Sequence, residues 1–287
     1  MSRPGWGDRL AEVLGTRVVH TASLAGGCVG DVRALETADG RQLVAKLGSG
    51  ADGALDLEGW MLDYLRAHSD VPVPRVEHAA PDLLIMERVA GSTGLAGDAQ
   101  EHAAELLAAL HGVTTSRYGL ERDTLIGGLP QPNAWCPRWV DFFAERRLRW
   151  MAAEAYRAGR LDARTRRDVD ALSERLSDWL GEPAQPALLH GDLWGGNMLS
   201  QRGRVTGLID PAIYYGHPEV ELAFGTMFGT FNERFFAAYR ALRPLDPGFF
   251  AERRDLYNLY PLLVHVRLFG GSYVDDVRGV VRRFGAC

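Results

Sequence analysis

The stretch His190-Gly191-Asp192-Leu193-Trp194-Gly195-Gly196-Asn197, with a second acid in Leu208-Ile209-Asp210-Pro211, eighteen residues beyond Asp192, constrains this chain more than any other feature. Ala187-Leu188-Leu189 before it and Arg204 to Ile209 after it each read as a short apolar strand, so both acids fall in tight turns at strand ends. Taken singly, Asp192 and Asp210 read better as turn formers and Asn197 as a strand-edge amide. Together they carry more. Asp192 and Asn197 are separated by four residues, the spacing at which an acid accepts the proton of a substrate hydroxyl and an amide oxygen ligates a metal. Asp210 supplies the carboxylate that a hard magnesium ion takes beside one amide and phosphate oxygens. The chemistry implied is phosphoryl transfer from magnesium-ATP.

A chain of 287 residues has material for one large domain or two lobes, and its 46% hydrophobic and 24% charged content is that of a soluble globular protein. The net charge of -5 and pI near 5.9 give no pull toward nucleic acid or anionic lipid. No run approaches the roughly 20 apolar residues of a membrane span, and residues 1–15 lack a signal-peptide core, so a cytoplasmic enzyme is expected. Cys28, Cys136 and Cys287 are too few and scattered for a disulfide framework or zinc site.

The first ninety residues read as strands with one helix. Arg17 to Leu24, Val32 to Thr37 and Arg41 to Leu47 form a small antiparallel sheet, with Asp39-Gly40 as a hairpin turn. A helix over Ala54 to His68 carries Leu55, Met61, Leu62 and Leu65 on one stripe, and Leu83 to Met86 is a buried strand. The remainder is mostly helical. Asp98 and Glu101 resemble a capping box for a helix through His111; amphipathic stretches follow at Trp135 to Ala158 and Asp162 to Leu180, and Pro218, Glu219 and Glu221 open another helix. In this reading Arg146, Arg147 and Arg149 form a solvated helix face.

An ATP enzyme of this type also needs a strand lysine and a helix glutamate. Lys46, on the third strand, is placed to grip phosphates. Glu58 lies on the apolar stripe of its helix, three residues from Leu55 and four from Leu62, where a charge is costly unless paired. Lys46 is its expected partner. Gly26, Gly27 and Cys28 lie in the turn between the first two strands, where backbone amides could cradle phosphate; a plain hairpin, with Cys28 merely a small residue, is the open alternative. The short distance from Asp210 to Pro218 leaves no room for an activation loop, so the expected acceptor is a small molecule or a small group on a larger one.

With these residues in place the chain resembles the fructosamine kinase, or ketosamine-3-kinase, family, within the wider aminoglycoside-phosphotransferase-like kinases. The resemblance rests on the 190–197 motif, on Ile209-Asp210-Pro211-Ala212-Ile213-Tyr214-Tyr215-Gly216-His217-Pro218, on Pro130-Gln131-Pro132-Asn133-x-Trp135 with Trp139 to Phe143, and on Leu110-His111. It implies ATP-dependent phosphorylation of the C3 hydroxyl of a ketosamine, on a small amine or a glycated protein, after which the adduct breaks down and frees the amine. It implies Asp192 as base, Asn197 and Asp210 as magnesium ligands, Lys46 and Glu58 as the phosphate lysine and its partner, and Met86, Glu87 and Val89 as the hinge beside adenine, with Ile209 also facing the nucleotide. Trp194 becomes a wall of the acceptor pocket, with Asn133, Trp135 and His217 as further acceptor candidates. Asp123-Thr124 stands where the family often has Asp-Asn, which departs from the pattern.

The expected architecture is therefore α+β: a bilobal protein-kinase-like fold, with residues 1–89 a nucleotide lobe of antiparallel sheet and one main helix, and residues 90–287 a larger, mostly helical catalytic and acceptor lobe. A kinase of another small alcohol, such as an aminoglycoside or choline, is the alternative within the class, and a nucleotide-binding pseudokinase scaffold the alternative outside it. No motif fixes the sugar length or the oligomeric state.

Overall fold

A computed structural model describes residues 6–24, 31–48, 54–183 and 185–285. Its first part is an antiparallel sheet of β1 (Val18–Ser23), β2 (Asp31–Thr37), β3 (Gln42–Leu47), β4 (Val76–Ala80) and β5 (Leu83–Glu87), in the order β1-β2-β3-β5-β4. Helix α1 (Trp6–Leu14) precedes it, and α2 (Leu55–His68) joins β3 to β4. The expected strands and helix are present, and α1 and β4 are additions.

The alternation of side chains along a strand sorts this sheet into two faces. Leu43 and Ala45 of β3, with Leu83 and Ile85 of β5, face Leu10 of α1. Leu84 and Met86, with Val44, face Leu55 and Leu62 of α2. Because both faces are covered, β5 is apolar and buried at four successive positions, Leu83 to Met86, with only Glu87 at its end exposed. Full burial of each such side chain stabilises the fold by about 1.5–3 kcal/mol. Lys46 shares the α2 face with Val44, which puts its ammonium beneath the helix. At Gly59 that helix approaches closely: an added Cβ would lie 2.6 Å from the Cβ of Ala79. A valine there would pry α2 off β4.

The chain then crosses over a second, three-stranded sheet of β6 (Ser92–Thr93), β10 (Met198–Gln201) and β11 (Arg204–Leu208). Val89 packs on Gly207, where a Cβ would meet its Cγ1 at 2.8 Å, and Thr206 Oγ1 donates to the Ala90 carbonyl at 2.5 Å. Helix α3 (Ala99–Leu110) leads to the hairpin β7 (Thr124–Ile126) and β8 (Leu129–Gln131). Asp98 and Glu101 do not form the expected capping box; both carboxylates turn to Arg234 instead, at 3.0 Å each.

Next come α4 (Trp139–Phe142), a π-helical segment Phe143–Arg149, α5 (Trp150–Arg157), α6 (Ala163–Glu174), β9 (Ala187–Leu189), β12 (Tyr214–Gly216), α7 (Pro218–Met227), α8 (Glu233–Leu242), α9 (Arg254–Phe269) and α10 (Tyr273–Gly285). These helices enclose one large core that runs from Ala103 to Phe284 and also takes Met61 and Leu65 from α2. Helix α2 is thus the packing element shared by the sheet and the helical part, and Tyr64 Oη meets Tyr215 Oη at 3.3 Å across that junction. No helix among the described residues is long and apolar enough to cross a membrane.

The expected solvated arginine face is wrong at Arg147. Within the π-helical segment the wider turn carries this residue inward, and it is fully buried, its guanidinium 4.0 Å from the ring centre of Tyr214 and 4.6 Å from that of Phe142. Nη1 donates to the Pro132 carbonyl and Nη2 to Asn133 Oδ1, both at 2.7 Å.

Candidate active site

β9 and β12 form an antiparallel pair with Tyr214 opposite Leu189 and Gly216 opposite Ala187. The 190–197 loop leaves the end of β9 and the chain enters β12 from beside it. At Gly191 (φ +87) a Cβ would stand 2.0 Å from the Ala212 carbonyl oxygen, so only glycine fits this turn. The Ala212 amide donates to the His190 carbonyl at 2.8 Å, which ties the two segments together. Gly191 N donates to Glu221 Oε1 at 2.7 Å. Glu221 Oε2 meets His111 Nε2 at 3.0 Å, and His111 Nδ1 meets Tyr239 Oη at 2.7 Å. His111, Glu221 and Tyr239 are all buried. The sequence marks Glu221 only as a helix-start acid, yet it is the side chain that holds the loop backbone. What hides it is that its partners lie on α3 and the loop, far apart in the chain.

Asp192 emerges above this support. Asn197 Nδ2 donates to the Asp192 carbonyl at 2.9 Å and to its Oδ2 at 3.0 Å. Burial, aided by the charges of Asp210 and Glu221 and opposed by the Asn197 hydrogen bond, pushes the Asp192 carboxyl up to about 7. Burial likewise lowers His190, so its ring is neutral beneath the loop. Asp210 ends β11 in a left-handed turn (φ +55), a conformation that Asp tolerates better than most residues.

Lys46 joins the two halves. Its Nζ donates to Glu58 Oε1 at 2.6 Å and also to Asp210 Oδ1, a residue 164 positions away. Burial alone would lower the lysine, but the two carboxylates outweigh it and hold it above its ordinary value. The structure therefore brings Lys46, Glu58, Asp192, Asn197 and Asp210 to one place. For a cation, the available donors are the Asp210 carboxylate and Asn197 Oδ1, because Asn197 Nδ2 is engaged with Asp192. Two hard oxygens with phosphate oxygens and water suit magnesium. The repulsion between Asp192 and Asp210 is the kind of unbalanced charge that such an ion relieves. Among the described residues no cluster of three His, Cys, Asp or Glu forms a site complete in itself.

The hinge candidates sit where the chain leaves the first sheet: Met86 is buried at the end of β5, Glu87 is exposed, and Val89 rests on Gly207. Ile209 donates its amide to the Asn197 carbonyl at 3.0 Å. Gly26, Gly27 and Cys28 lie outside the described residues.

The acceptor candidates divide. Trp194 is 39% exposed on the catalytic loop, its ring folded back over Gly196, where a Cβ would meet it at 2.4 Å. Asn133 is fully buried and committed: Nδ2 donates to Thr124 Oγ1 at 2.7 Å, and Oδ1 accepts from Arg147. It cannot line an acceptor pocket; its role is to anchor the 130–133 segment under the loop. Thr124, which departs from the family pattern, is the hydroxyl that receives this amide. Trp135 is half-buried, with Tyr215 at 6.4 Å and the Arg117 guanidinium 5.3 Å above its ring. His217 caps α7, its Nδ1 accepting from Glu219 N at 3.1 Å, among Trp139 and Tyr257. It follows Gly216, at the end of the β9–β12 pair remote from Asp192, so the substrate role considered for it is not what this position serves. It borders a separate cavity of about 380 Å³ that Tyr239, Arg243 and Arg253 also line.

A family model described as fructosamine kinase matches residues 7–285. A protein of Synechocystis sp. named a probable ketoamine kinase is 34% identical over 275 residues, which covers 93% of this chain and 90% of that protein. A chloroplastic protein-ribulosamine 3-kinase of Oryza sativa subsp. indica is 32% identical over 291 residues, covering 95% and 80% respectively. The crystal structure of a candidate fructosamine-3-kinase from Thermobifida fusca is similar at a TM-score of 0.83, with 34% identity over 96% of this chain and 98% of that one.

Proposed function

This chain belongs to the fructosamine kinase family, and we propose from that premise that it transfers the γ-phosphoryl group of ATP to the C3 hydroxyl of a ketosamine, the committing step in freeing a glycated amine. The fold is the α+β, bilobal, protein-kinase-like one, with ATP in the cleft between a nucleotide lobe of residues 1–89 and a catalytic and acceptor lobe of residues 90–287. The observation that carries the reading is the convergence of Lys46, Asp192, Asn197 and Asp210 from the ends of three separate sheets. A scaffold that merely held nucleotide would have no use for all four.

Asp192 takes the proton of the acceptor hydroxyl as that oxygen forms its bond to the γ-phosphorus and the bond to the β-phosphate oxygen breaks. Burial raises this carboxyl in the ligand-free site, and a cation held at Asp210 would lower it again, keeping it ionised to accept the proton. Asn197 holds the carboxylate in place by its hydrogen bond to Oδ2. Lys46, kept charged by Glu58, moves from Asp210 onto the nucleotide phosphates. Asp210 and Asn197 Oδ1 hold magnesium, which when bound neutralises phosphate charge. Met86, Glu87, Val89 and Ile209 border the base and ribose, and Trp194 forms the apolar wall against which the sugar or its amine rests. Catalysis is then mainly positioning and charge neutralisation.

The test is ATP consumption with fructosyl-, ribulosyl- and erythrulosyl-lysine beside aminoglycosides and choline, with the phosphorylated position assigned by NMR. Phosphate on C3 of a ketosamine is the expected result. Turnover of an aminoglycoside or choline with none of any ketosamine would replace the acceptor class, and acceptor-independent ATP loss alone would revive the scaffold.

A further inference from the structure

The cavity beside His217 lies at the end of the β9–β12 pair remote from Asp192, and its volume of about 380 Å³ is that of a small-molecule site, roughly 300–1,000 Å³. Five charged side chains line it: Glu182, Glu219, Arg243, Asp246 and Arg253. Three of them are committed. Arg253 grips Glu219 through two hydrogen bonds, both at 2.7 Å, and also donates to the carbonyls of Asp246 and Pro247. Glu182 accepts from the amides of Trp139 and Val140 at 2.6 and 3.2 Å. Arg243 and Asp246 are left, and neither has an ion pair among the described residues. The Arg243 guanidinium lies beside the neutral Tyr239 hydroxyl, and the Asp246 charge acts on Glu219 and Arg253, so both are turned to the same space. His217, kept neutral by burial, adds no charge. Of the cations at the border, Arg138 is 3.9 Å from Glu182 and 3.6 Å from Asp141, and Arg175, beside the Trp179 ring, is 3.1 Å from Asp178.

We propose that this cavity binds a free amino acid with an apolar side chain, its carboxylate on Arg243 and its ammonium on Asp246. A ligand of one sign would satisfy one of these two side chains and be repelled by the other; a zwitterion satisfies both. Arg243 is half-buried and gains most from a counterion, and its planar fork matches a carboxylate. Asp246 is exposed and three positions further on, so their Cα atoms are at most about 10–11 Å apart and both side chains reach the two ends of one small molecule. Trp179, Pro244 and Leu245 supply the apolar wall. Tyr239 is the far end of the buried chain that carries Gly191, so an occupant sits at the foot of that support and stabilises the folded protein by binding to it alone. None of these residues bears on the acceptor, and the site stands apart from the ketosamine reading.

The experiment is titration calorimetry of the full chain with L-leucine, L-phenylalanine, N-acetyl-L-leucine, which lacks the ammonium, and L-leucinamide, which lacks the carboxylate. The two free amino acids are expected to bind, and each masked form to bind about tenfold or more weakly, the scale of one lost charged hydrogen bond. Arg243→Gln should abolish the difference between leucine and leucinamide, and Asp246→Asn the difference between leucine and N-acetyl-leucine, so that each variant is matched to one end of the ligand. Asp246 is exposed, which keeps the test open if Arg243→Gln fails to fold; unchanged ATP affinity shows that a variant is intact. No heat with any of the four at millimolar concentration, or wild-type affinity in both variants, would overturn the site. Equal or tighter binding of N-acetyl-leucine would make it a site for plain anions and overturn the zwitterion, and displacement of leucine by ATP would put the ligand in the catalytic cleft instead.

Discussion

The catalytic loop is held from two sides that differ in kind. Above it, Lys46, Glu58, Asp192 and Asp210 form a partly accessible set of charges that is not balanced within itself: one lysine serves two carboxylates, and Asp192 is held near 7 with Asp210 beside it. Below it, Tyr239, His111 and Glu221 form a buried chain that ends on Gly191 N, while Gln131, Thr124, Asn133 and Arg147 pin the 130–133 segment. The buried chain has its hydrogen bonds made before any ligand arrives. The upper set is left wanting a cation and phosphates. Proteins depart from local satisfaction chiefly where they act, and here the support below is closer to full pairing, Arg147 Nε being its one buried atom without a partner among the supporting side chains described.

The largest expected effect breaks the upper set alone. Asp192→Asn removes the proton acceptor and should lower kcat by roughly 10²–10⁴-fold. ATP binding, measured by calorimetry, should largely persist, because Lys46 and Asp210 are untouched. Loss of nucleotide binding together with turnover would mean that Asp192 belongs to the scaffold instead.

Glu221→Ala breaks the lower side. It strands the half-buried Gly191 amide and the buried His111, and leaving such a polar group without its partner costs about 1–3 kcal/mol. Urea unfolding should show this as a fall in midpoint at unchanged slope. Unaltered stability would mean that the loop is held elsewhere.

The sequence made the upper side legible and the lower side nearly invisible, for a physical reason. Lys46, Glu58, Asp192, Asn197 and Asp210 must be particular chemical types at particular spacings, and Glu58 betrays itself as a charge on an apolar stripe. Supporting residues need only reach a partner that the fold provides. Arg147 reads as one more surface arginine because nothing local announces the π-helical turn that sends it inward. The family resemblance implies Asn133 as an acceptor contact, but Arg147 and Thr124 take its amide. In the fold, β5 is plain from four apolar residues in succession, whereas β4, Val-Glu-His-Ala-Ala at the sheet edge, lacks the alternation that would reveal it. Helix α1 is amphipathic, with Leu10 on the sheet, but at nine residues it is too short for its period to stand out in the sequence.

Acid should separate the regions further. His217, at the far end of the β9–β12 pair, is pushed down to about 3 by burial, with Arg253 and His111 adding repulsion. Its folded value lies below its unfolded one, near 6.5. The unfolded chain therefore binds the extra proton between these values, so the contribution is complete above about 6.5 and is lost as pH falls toward 3. The loss is at most roughly 1.4 kcal/mol per pH unit. His217→Asn, which can still cap α7, should flatten the fall in unfolding free energy between pH 6 and 4. An equally steep fall in the variant would place the acid sensitivity in other groups.

Tyr239→Phe is the smallest and most discriminating change. It deletes one hydroxyl at the far end of the buried chain and leaves the ring packed against Phe235 and His111. The direct cost should be about 1 kcal/mol of stability, the scale of a single hydrogen bond. If the chain from Tyr239 through His111 and Glu221 acts only as a support, kcat should stay within a factor of two or so of wild type, because Gly191 N keeps its carboxylate. If orientation is passed along it, kcat should fall more than stability does while the KM for ATP holds, since only the loop that carries Asp192 is disturbed. The two outcomes divide a foundation from a lever, and the full burial of all three side chains favours the foundation.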